Sequence, residues 1–394
     1  MSSLFSELEG EGFILPDFKK SNYAVTRQLV DTWNGKLTGD KDKKIYIILD
    51  GFGYNILERL IEREADLKKE ISNFSISKIT SVFPSSTMNA LSSTYSGFTT
   101  AEHGVVSNTL FVKELGMMVN AVKMGSAAEP GFRLRQSVKD QLHLIFPKSA
   151  ALAKFNDDGR SVSTVYMEQY VKSGLCEAIF DGDIIPYTTF ADMLVRITMQ
   201  MEKGVDLVMA YSDVVDHTEH VYMPYDEGVH HTLYTLLHLI AKVLVPEAKR
   251  LGYNIIITAD HGQTTEASEK DRTILWSDPI VKALEMPPWG EPTSMFFSVT
   301  DGREREFMEN LEKRGILKDG LLVDSGEAIR SGLFGKNEVK DELRYRFGTH
   351  ILIMKDANAV FYNYPGYERK QYGHRGMHGG LSPDEMYLPL MLYE

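Results

Sequence analysis

The sequence predicts an α/β fold, a mainly parallel sheet covered by helices on both faces. Three observations predict it. Short β-branched runs recur along the chain, apolar at nearly every position, as strands buried on both faces are. Longer amphipathic stretches with helical spacing separate them. The 394 residues suffice for one large α/β domain with insertions, or for two or three smaller domains.

The elements follow in order. Residues 44–49 (KIYIIL) form the first strand, which ends on the turn D-G-F-G from Asp50. Pro84 and a Ser-Ser-Thr run precede an amphipathic stretch ending at Gly97, the pattern of a helix N-terminus with hydroxyls at its cap. Residues 111–161 are less regular, carry Arg133 and Arg135, and read as an insertion over the sheet. Residues 188–204 read as a helix, 206–211 (DLVMAY) as a strand, 228–250 as a helix and 253–258 (YNIIIT) as a strand. Further strands are expected over 296–300, 350–354 and 388–392. The charged stretch 301–346 reads as helices and turns in a small cap-like lobe. In sheets of this kind ligands sit outside the carboxyl ends of the strands, so residues just after strand ends are the first candidates for function.

Composition narrows the class. Hydrophobic residues make up 43% and charged residues 25%, as in ordinary soluble globular proteins. A net charge of −12 argues against a nucleic-acid groove, which needs a basic face. The single cysteine, Cys176, excludes an intrachain disulfide and any cysteine-rich zinc finger. No run approaches a membrane span, and the first twenty residues lack the pattern of a signal peptide. A cytoplasmic protein without membrane association is the expectation.

Four clusters could carry chemistry. Asp50 directly follows a strand, although Asp before Gly is also ordinary turn chemistry. Asp260 and His261, in A-D-H-G-Q, follow another strand and supply one hard oxygen and one imidazole nitrogen, a mix that suits zinc or manganese. The segment Y-S-D-V-V-D-H-T-E-H holds two Asp-to-His pairs at i, i+4, Asp213/His217 and Asp216/His220; on a helix one of them can chelate an ion. His374 and His378 stand in a Gly-rich loop before the last strand. A fifth feature is the Ser/Thr run after Pro84. A hydroxyl there would sit at a helix N-terminus, where free N–H groups and the helix dipole favour an anion.

Five segments, IYIILDGFG, VFPSSTMNAL…SGFTTAEHGVVSN, DVVDHTEH, IIITADHGQT and MHGGLSPDEMYLPL, resemble in this order the alkaline phosphatase superfamily, and within it the type I phosphodiesterase/nucleotide pyrophosphatase branch. They run from residue 45 to 390, nearly the whole chain. The resemblance implies a three-layer α/β/α sandwich of the alkaline-phosphatase kind, a single catalytic domain over 1–394 with insertions at about 111–161 and 301–346. It places the nucleophilic threonine ten residues before Gly97, on Thr87, and the family's asparagine on Asn108. Asp50, Thr87, Asp260 and His261 match one metal site, and Asp216, His220 and His378 the other. Tyr222 and Pro224 follow at the family's distance and favour Asp216/His220; the H-G-G-L-S-P element favours His378 over His374. One departure stands beside the nucleophile, where T-M-N-A replaces the family's T-F-P-N, and no nucleotide-stacking aromatic can be assigned.

What the resemblance implies is a two-metal hydrolase of phosphodiester or pyrophosphate bonds in small, nucleotide-like phosphate esters. Two divalent cations, zinc first and manganese as the alternative, would serve a phospho-threonine intermediate, with Asn108 and the Met88 N–H holding a non-bridging oxygen. Three Asp and a Thr alkoxide would balance the two cations, so the whole-chain charge does not exclude an anionic substrate. Activity should fall below about pH 6.5 as the imidazoles protonate. The nearest rival is a phosphomonoesterase that uses Arg133 or Arg135 for the extra charge. A mutase of the same superfamily is disfavoured because those branches carry larger inserted domains, and a sulfatase would need a Pro and Arg context that Cys176 lacks. A metal-binding regulatory module without catalysis is the rival from another class. Oligomeric state is not indicated.

Overall fold

The computed structural model describes residues 3–129, 157–171, 183–265, 272–364 and 375–394, together with Leu134, Phe146 and Phe155. Arg133, Arg135, Cys176 and His374 lie outside the described residues.

The central sheet has seven strands. In chain order they are β1 (Lys43–Leu49), β2 (Ser75–Thr80), β3 (Val162–Met167), β4 (Asp183–Tyr187), β5 (Leu207–Ser212), β6 (Tyr253–Thr258) and β7 (Tyr387–Tyr393). Their spatial order is β2-β7-β6-β1-β5-β3-β4. Only β7 runs against the others, pairing antiparallel with β2 and β6. All six residues of β5 and of β6 are buried, as are the last six of β1. Consecutive side chains point to opposite faces, so unbroken burial requires cover on both sides of the sheet. This is the mainly parallel, helix-covered sheet expected from the apolar runs.

Register decides where function can gather. β1 lies between β5 and β6, with Leu49 opposite Ser212 and Ile48 opposite Thr258. The three strands therefore end together. The Asp50 N–H donates to Ser212 O at 2.9 Å, and the Asp216 N–H donates back to Asp50 O at 2.9 Å. Chain segments separated by more than 150 residues thus leave the sheet at one edge.

Several element boundaries differ from the sequence expectation. The strand expected at 296–300 is Ser294–Phe297, because the Val299 N–H is met by the Thr349 hydroxyl rather than by a neighbouring strand. The helix expected at 228–250 starts at Glu227 and is interrupted by a π-helical turn, Ile240–Leu244, before Val245–Leu251. Pro246 in the first turn of the last segment cannot donate to the preceding turn, which accounts for the widening. The stretch 301–346 does contain helices, among them Glu304–Lys313, but also the unexpected strand Gly320–Asp324. That strand edges a second, four-stranded antiparallel sheet with Trp289–Glu291, Ser294–Phe297 and His350–Met354. Phe307 and Leu311 of the helix pack with Phe297 and Leu352 in a separate apolar cluster beneath it. Among the described residues no helix is long and apolar enough to cross a membrane.

Candidate active site

Three strand ends and one helix start meet at the carboxyl edge of the central sheet. Asp50 follows β1 and Asp260 and His261 follow β6. Helix α1 (Thr87–Ser96) begins on Thr87, and helix α2 (Val214–Tyr222) follows β5. His378 comes from the loop after Gly376–Met377, a short strand paired with Thr264–Thr265. The structure brings Asp50, Thr87, Asp216, His220, Asp260, His261 and His378 into one cluster.

The distances are short. Thr87 Oγ1 lies 3.1 Å from His261 Nε2. The same nitrogen is 3.3 Å from Asp50 Oδ1 and 3.8 Å from Asp260 Oδ2. One turn of α2 sets Asp216 Oδ1 3.3 Å from His220 Nε2, and His378 Nε2 lies 3.9 Å from the same oxygen. The His261 and His378 rings stack at 3.9 Å, and the His220 ring is 5.3 Å from that of His378. Between the two Asp-to-His pairs the fold separates the roles: Asp216/His220 faces the cluster, while His217 is exposed and Asp213 accepts a hydrogen bond from Tyr170 Oη at 3.1 Å.

Backbone carbonyls set the imidazole tautomers. His261 Nδ1 lies 3.1 Å from Gly262 O, and His220 Nδ1 lies 2.8 Å from Gly376 O. A carbonyl only accepts, so both Nδ1 atoms carry hydrogen and both Nε2 atoms present a lone pair to the cluster. This is the usual way a protein aims a metal-binding histidine.

The carboxylates are in an environment that an isolated anion would not tolerate. Asp50 and Asp260 are buried, and Asp50 Oδ1 and Asp260 Oδ2 have no hydrogen-bond partner among the described residues. Burial first, then the Asp260 and Asp216 charges, push the Asp50 carboxyl well above the usual range. Burial likewise pushes Asp216 up to about 7, against the opposing pull of His261. Buried carboxylates with orphaned oxygens, facing imidazole lone pairs, are the donor set that fits divalent cations. Two groups have ligand atoms within 4.8 Å of one another: Asp216, His220 and His378, and Asp50, Asp216 and His261. The first is the set matched from the sequence. In the second Asp216 takes a shared position, while Asp260 uses Oδ1 to accept the N–H groups of His261, at 3.0 Å, and Gly51, at 3.3 Å.

Asn108 is half-buried at the rim of the site. Its Oδ1 accepts the Met88 N–H at 3.1 Å. That N–H is therefore engaged by Asn108 rather than open to a substrate, which changes the paired role expected from the sequence. An amide N–H must face the side-chain oxygen, so the assignment leaves Asn108 Nδ2 as the outward donor. Next to the cluster is a cavity of about 140 Å³, several times the roughly 30 Å³ of a liquid water. Thr87, Asn108, Tyr166, Tyr170, Tyr211 and Asp213 contribute to its walls.

Supporting residues were missed in the sequence. Tyr211 Oη donates to Asp50 Oδ2, and Gln263 Nε2 donates to Asp216 Oδ1. Both lie within three residues of a singled-out aspartate, which was the available signal. Glu219, one turn along α2 from Asp216, is fully buried, and neither of its carboxyl oxygens has a hydrogen-bond partner among the described residues. Burial, with the Asp216 and Asp384 charges, holds its carboxyl well above the usual range. No local pattern marks Glu291, whose partners are about two hundred residues away.

The model of the type I phosphodiesterase / nucleotide pyrophosphatase family matches residues 45–381. Among solved structures, murine ectonucleotide pyrophosphatase / phosphodiesterase 5 is similar with a TM-score of 0.60 at 16% identity, over 89% of this chain and 87% of that one. An inactive Thr-to-Ala variant of that murine protein, in complex with AMP, gives 0.61 at 16%, over 89% and 88%. Phosphonoacetate hydrolase from Sinorhizobium meliloti 1021, in complex with phosphonoformate, gives 0.62 at 17%, over 92% of each chain. At such identities the likeness shows a shared fold. No curated protein matches the sequence.

Proposed function

The chain belongs to the type I phosphodiesterase / nucleotide pyrophosphatase family of metal-dependent hydrolases, and we propose that it cleaves phosphodiester or pyrophosphate bonds of small, nucleotide-like esters with Thr87 as nucleophile. The observation that carries this reading is the Thr87 hydroxyl at the first position of α1, 3.1 Å from His261 Nε2 and beside the buried carboxylates. Asp50, Asp216, Asp260, His220, His261 and His378 would hold two divalent cations, zinc by preference for mixed oxygen and nitrogen donors and manganese as the alternative. When bound, the cations would lower the pKa of the threonine hydroxyl and neutralise charge on the attacking and leaving oxygens.

The remaining steps belong to the chain. Thr87 Oγ1, its proton lost to solvent, attacks phosphorus in line with the leaving oxygen. The phosphorus–oxygen bond to the leaving group breaks, the leaving oxygen takes a proton from water, and a phospho-threonine remains. Asn108 Nδ2 donates to a non-bridging oxygen as charge builds there. Water then attacks phosphorus from the vacated side and regenerates Thr87. Tyr211 holds Asp50 and Gln263 holds Asp216, so the ligand carboxylates are oriented before substrate arrives. The AMP bound by the murine protein's variant supports a nucleotide-like ester as the substrate class. A single catalytic domain over 1–394 also fits this reading, because the main apolar core runs from Leu4 to Tyr393 and includes Val323, Ile329 and Phe334.

The test is a panel of bis-(p-nitrophenyl) phosphate, p-nitrophenyl phosphate and a nucleotide, each with Zn²⁺ or Mn²⁺. Faster cleavage of the diester or the nucleotide is expected; preference for the monoester would overturn it. Thr87→Ala should lower kcat by roughly the 10⁴–10⁶-fold seen when a nucleophile is removed, with bound metal retained. Turnover near the parent rate would eliminate Thr87 as nucleophile.

A further inference from the structure

One oxygen ties the nucleophile's turn to Asn108. Glu291 Oε1 accepts the Ser86 hydroxyl at 2.7 Å and the Asn108 backbone N–H at 2.7 Å. Glu291 is buried, on the strand Trp289–Glu291 of the second sheet. Resting on the reading of Thr87 as nucleophile, we propose that Glu291 is a positioning residue that sets the Thr87 hydroxyl and the Asn108 amide at a fixed separation.

Ser86 shows that the contact is not ordinary capping. It occupies the N-cap of α1 with extended backbone, φ −120° and ψ 141°, yet its side chain makes no bond to its own helix. The hydroxyl turns outward to Glu291 instead. The helix N-terminus is served by Asn108, whose Oδ1 accepts the Met88 N–H. These bonds close a ring running Ser86, Thr87, Met88, Asn108, Glu291 and back to Ser86. Thr87 lies inside the ring, and the Asn108 amide is its opposite member.

A second tie reinforces it. Ser85 Oγ donates to Gly380 O at 2.8 Å and accepts the Gly379 N–H at 3.3 Å. Both serines before Thr87 are therefore bonded to segments outside α1. Gly379 follows His378 with φ +120°, and a Cβ placed there would lie 2.3 Å from Glu291 Cβ. The loop that carries His378 thus packs directly on the residue that holds Ser86 and Asn108. Because one buried oxygen accepts both donors, any displacement of Glu291 moves Ser86 and Asn108 together.

The experiment compares Glu291→Ala, Glu291→Gln and Asn108→Ala, alone and combined, on bis-(p-nitrophenyl) phosphate. Metal content and melting temperature are measured on each. Glu291→Ala should lower kcat by ~10–100-fold, the scale of about 1 Å of misplacement, with KM changed by no more than about twofold and metal retained. Glu291→Gln should recover part of the loss, since its amide oxygen can accept the same two bonds. Adding Glu291→Ala to Asn108→Ala should cost little more than Asn108→Ala alone, because both act through one group. Unchanged kcat per metal-loaded molecule in Glu291→Ala, or losses that multiply in the double variant, would overturn the proposal. Should Glu291→Ala fail to fold, Glu291→Gln and Ser86→Ala carry the test through the same kcat readout, and parent-like kcat in both overturns it. Turnover by Thr87→Ala would sink the nucleophile reading; an inactive Thr87→Ala beside a fully active Glu291→Gln and Ser86→Ala sinks only the role of Glu291.

Discussion

Replacing Gly262 with alanine should disable the site through one methyl group. Gly262 follows His261 and donates its N–H to Glu385 O at 2.9 Å. A Cβ built on it falls 2.2 Å from Asp384 O and 2.9 Å from Gly53 Cα. The first contact is 1.2 Å short of the 3.4 Å at which ordinary van der Waals contact begins. Both neighbours are backbone, so no flexible side chain can swing away. The strain must move the turn after β6, and with it Asp260 and His261. Overpacking of this kind costs about 1–3 kcal/mol, a fall of a few degrees in melting temperature. A displacement of about 1 Å at a ligand pair costs ~10²-fold in rate. The assay is kcat/KM on bis-(p-nitrophenyl) phosphate, with metal content and thermal melting measured on the same samples. Gly10→Ala is the control, since nothing lies within 4 Å of its Cβ and it should behave as the parent. If Gly262→Ala matches the parent in both melting and kcat/KM, the close approach of the two turns does not hold the ligands in place.

Two further outcomes follow from the same geometry. The Asp216 carboxyl, with an unfolded-chain value of 3.8, is pushed up to about 7 by burial, and Asp50 is shifted in the same direction. Without metal this contribution to stability is complete below about pH 4 and is lost as pH rises through about 7. Metal reverses the sign by displacing the protons, so the gain in melting temperature on adding Zn²⁺ to chelator-treated protein should grow between pH 5 and pH 8. A gain that stays constant across that window would show that these carboxyls are not where metal binds. The second outcome separates the two aspartates of the α2 region. Asp216→Asn should lose bound metal and at least the 10–100-fold in activity typical of removing a mere supporting partner. Asp213→Ala should keep its metal and lose only the Tyr170 bond, worth about 1 kcal/mol. Metal analysis of both variants decides, and the reverse order would exchange their roles.

The residues proposed to carry chemistry were legible because each sits next to a strong local signal. Asp50, Asp260 and the Asp213–His220 segment follow apolar runs that can only be buried strands, and position after a strand end is written in the chain. Thr87 was legible as part of a Ser/Thr-rich helix start, but its choice over Ser85 and Ser86 came from family resemblance. In the fold Ser85 and Ser86 are both bonded away to other segments, while the Thr87 hydroxyl faces His261.

The sequence by itself determined the strands, the mainly parallel α/β class and the identity of the polar residues at the strand ends, because burial on two faces leaves a continuous apolar signature in a short segment. Only the tertiary structure decided that β5, β1 and β6 lie side by side, and hence that their ends converge. It also decided that Asp216 faces both ligand groups while His217 points away, and that Glu291 reaches Ser86 and Asn108 across 205 and 183 residues. Pairing among non-consecutive strands minimises exposed apolar surface over the whole chain, so no local window of sequence contains it.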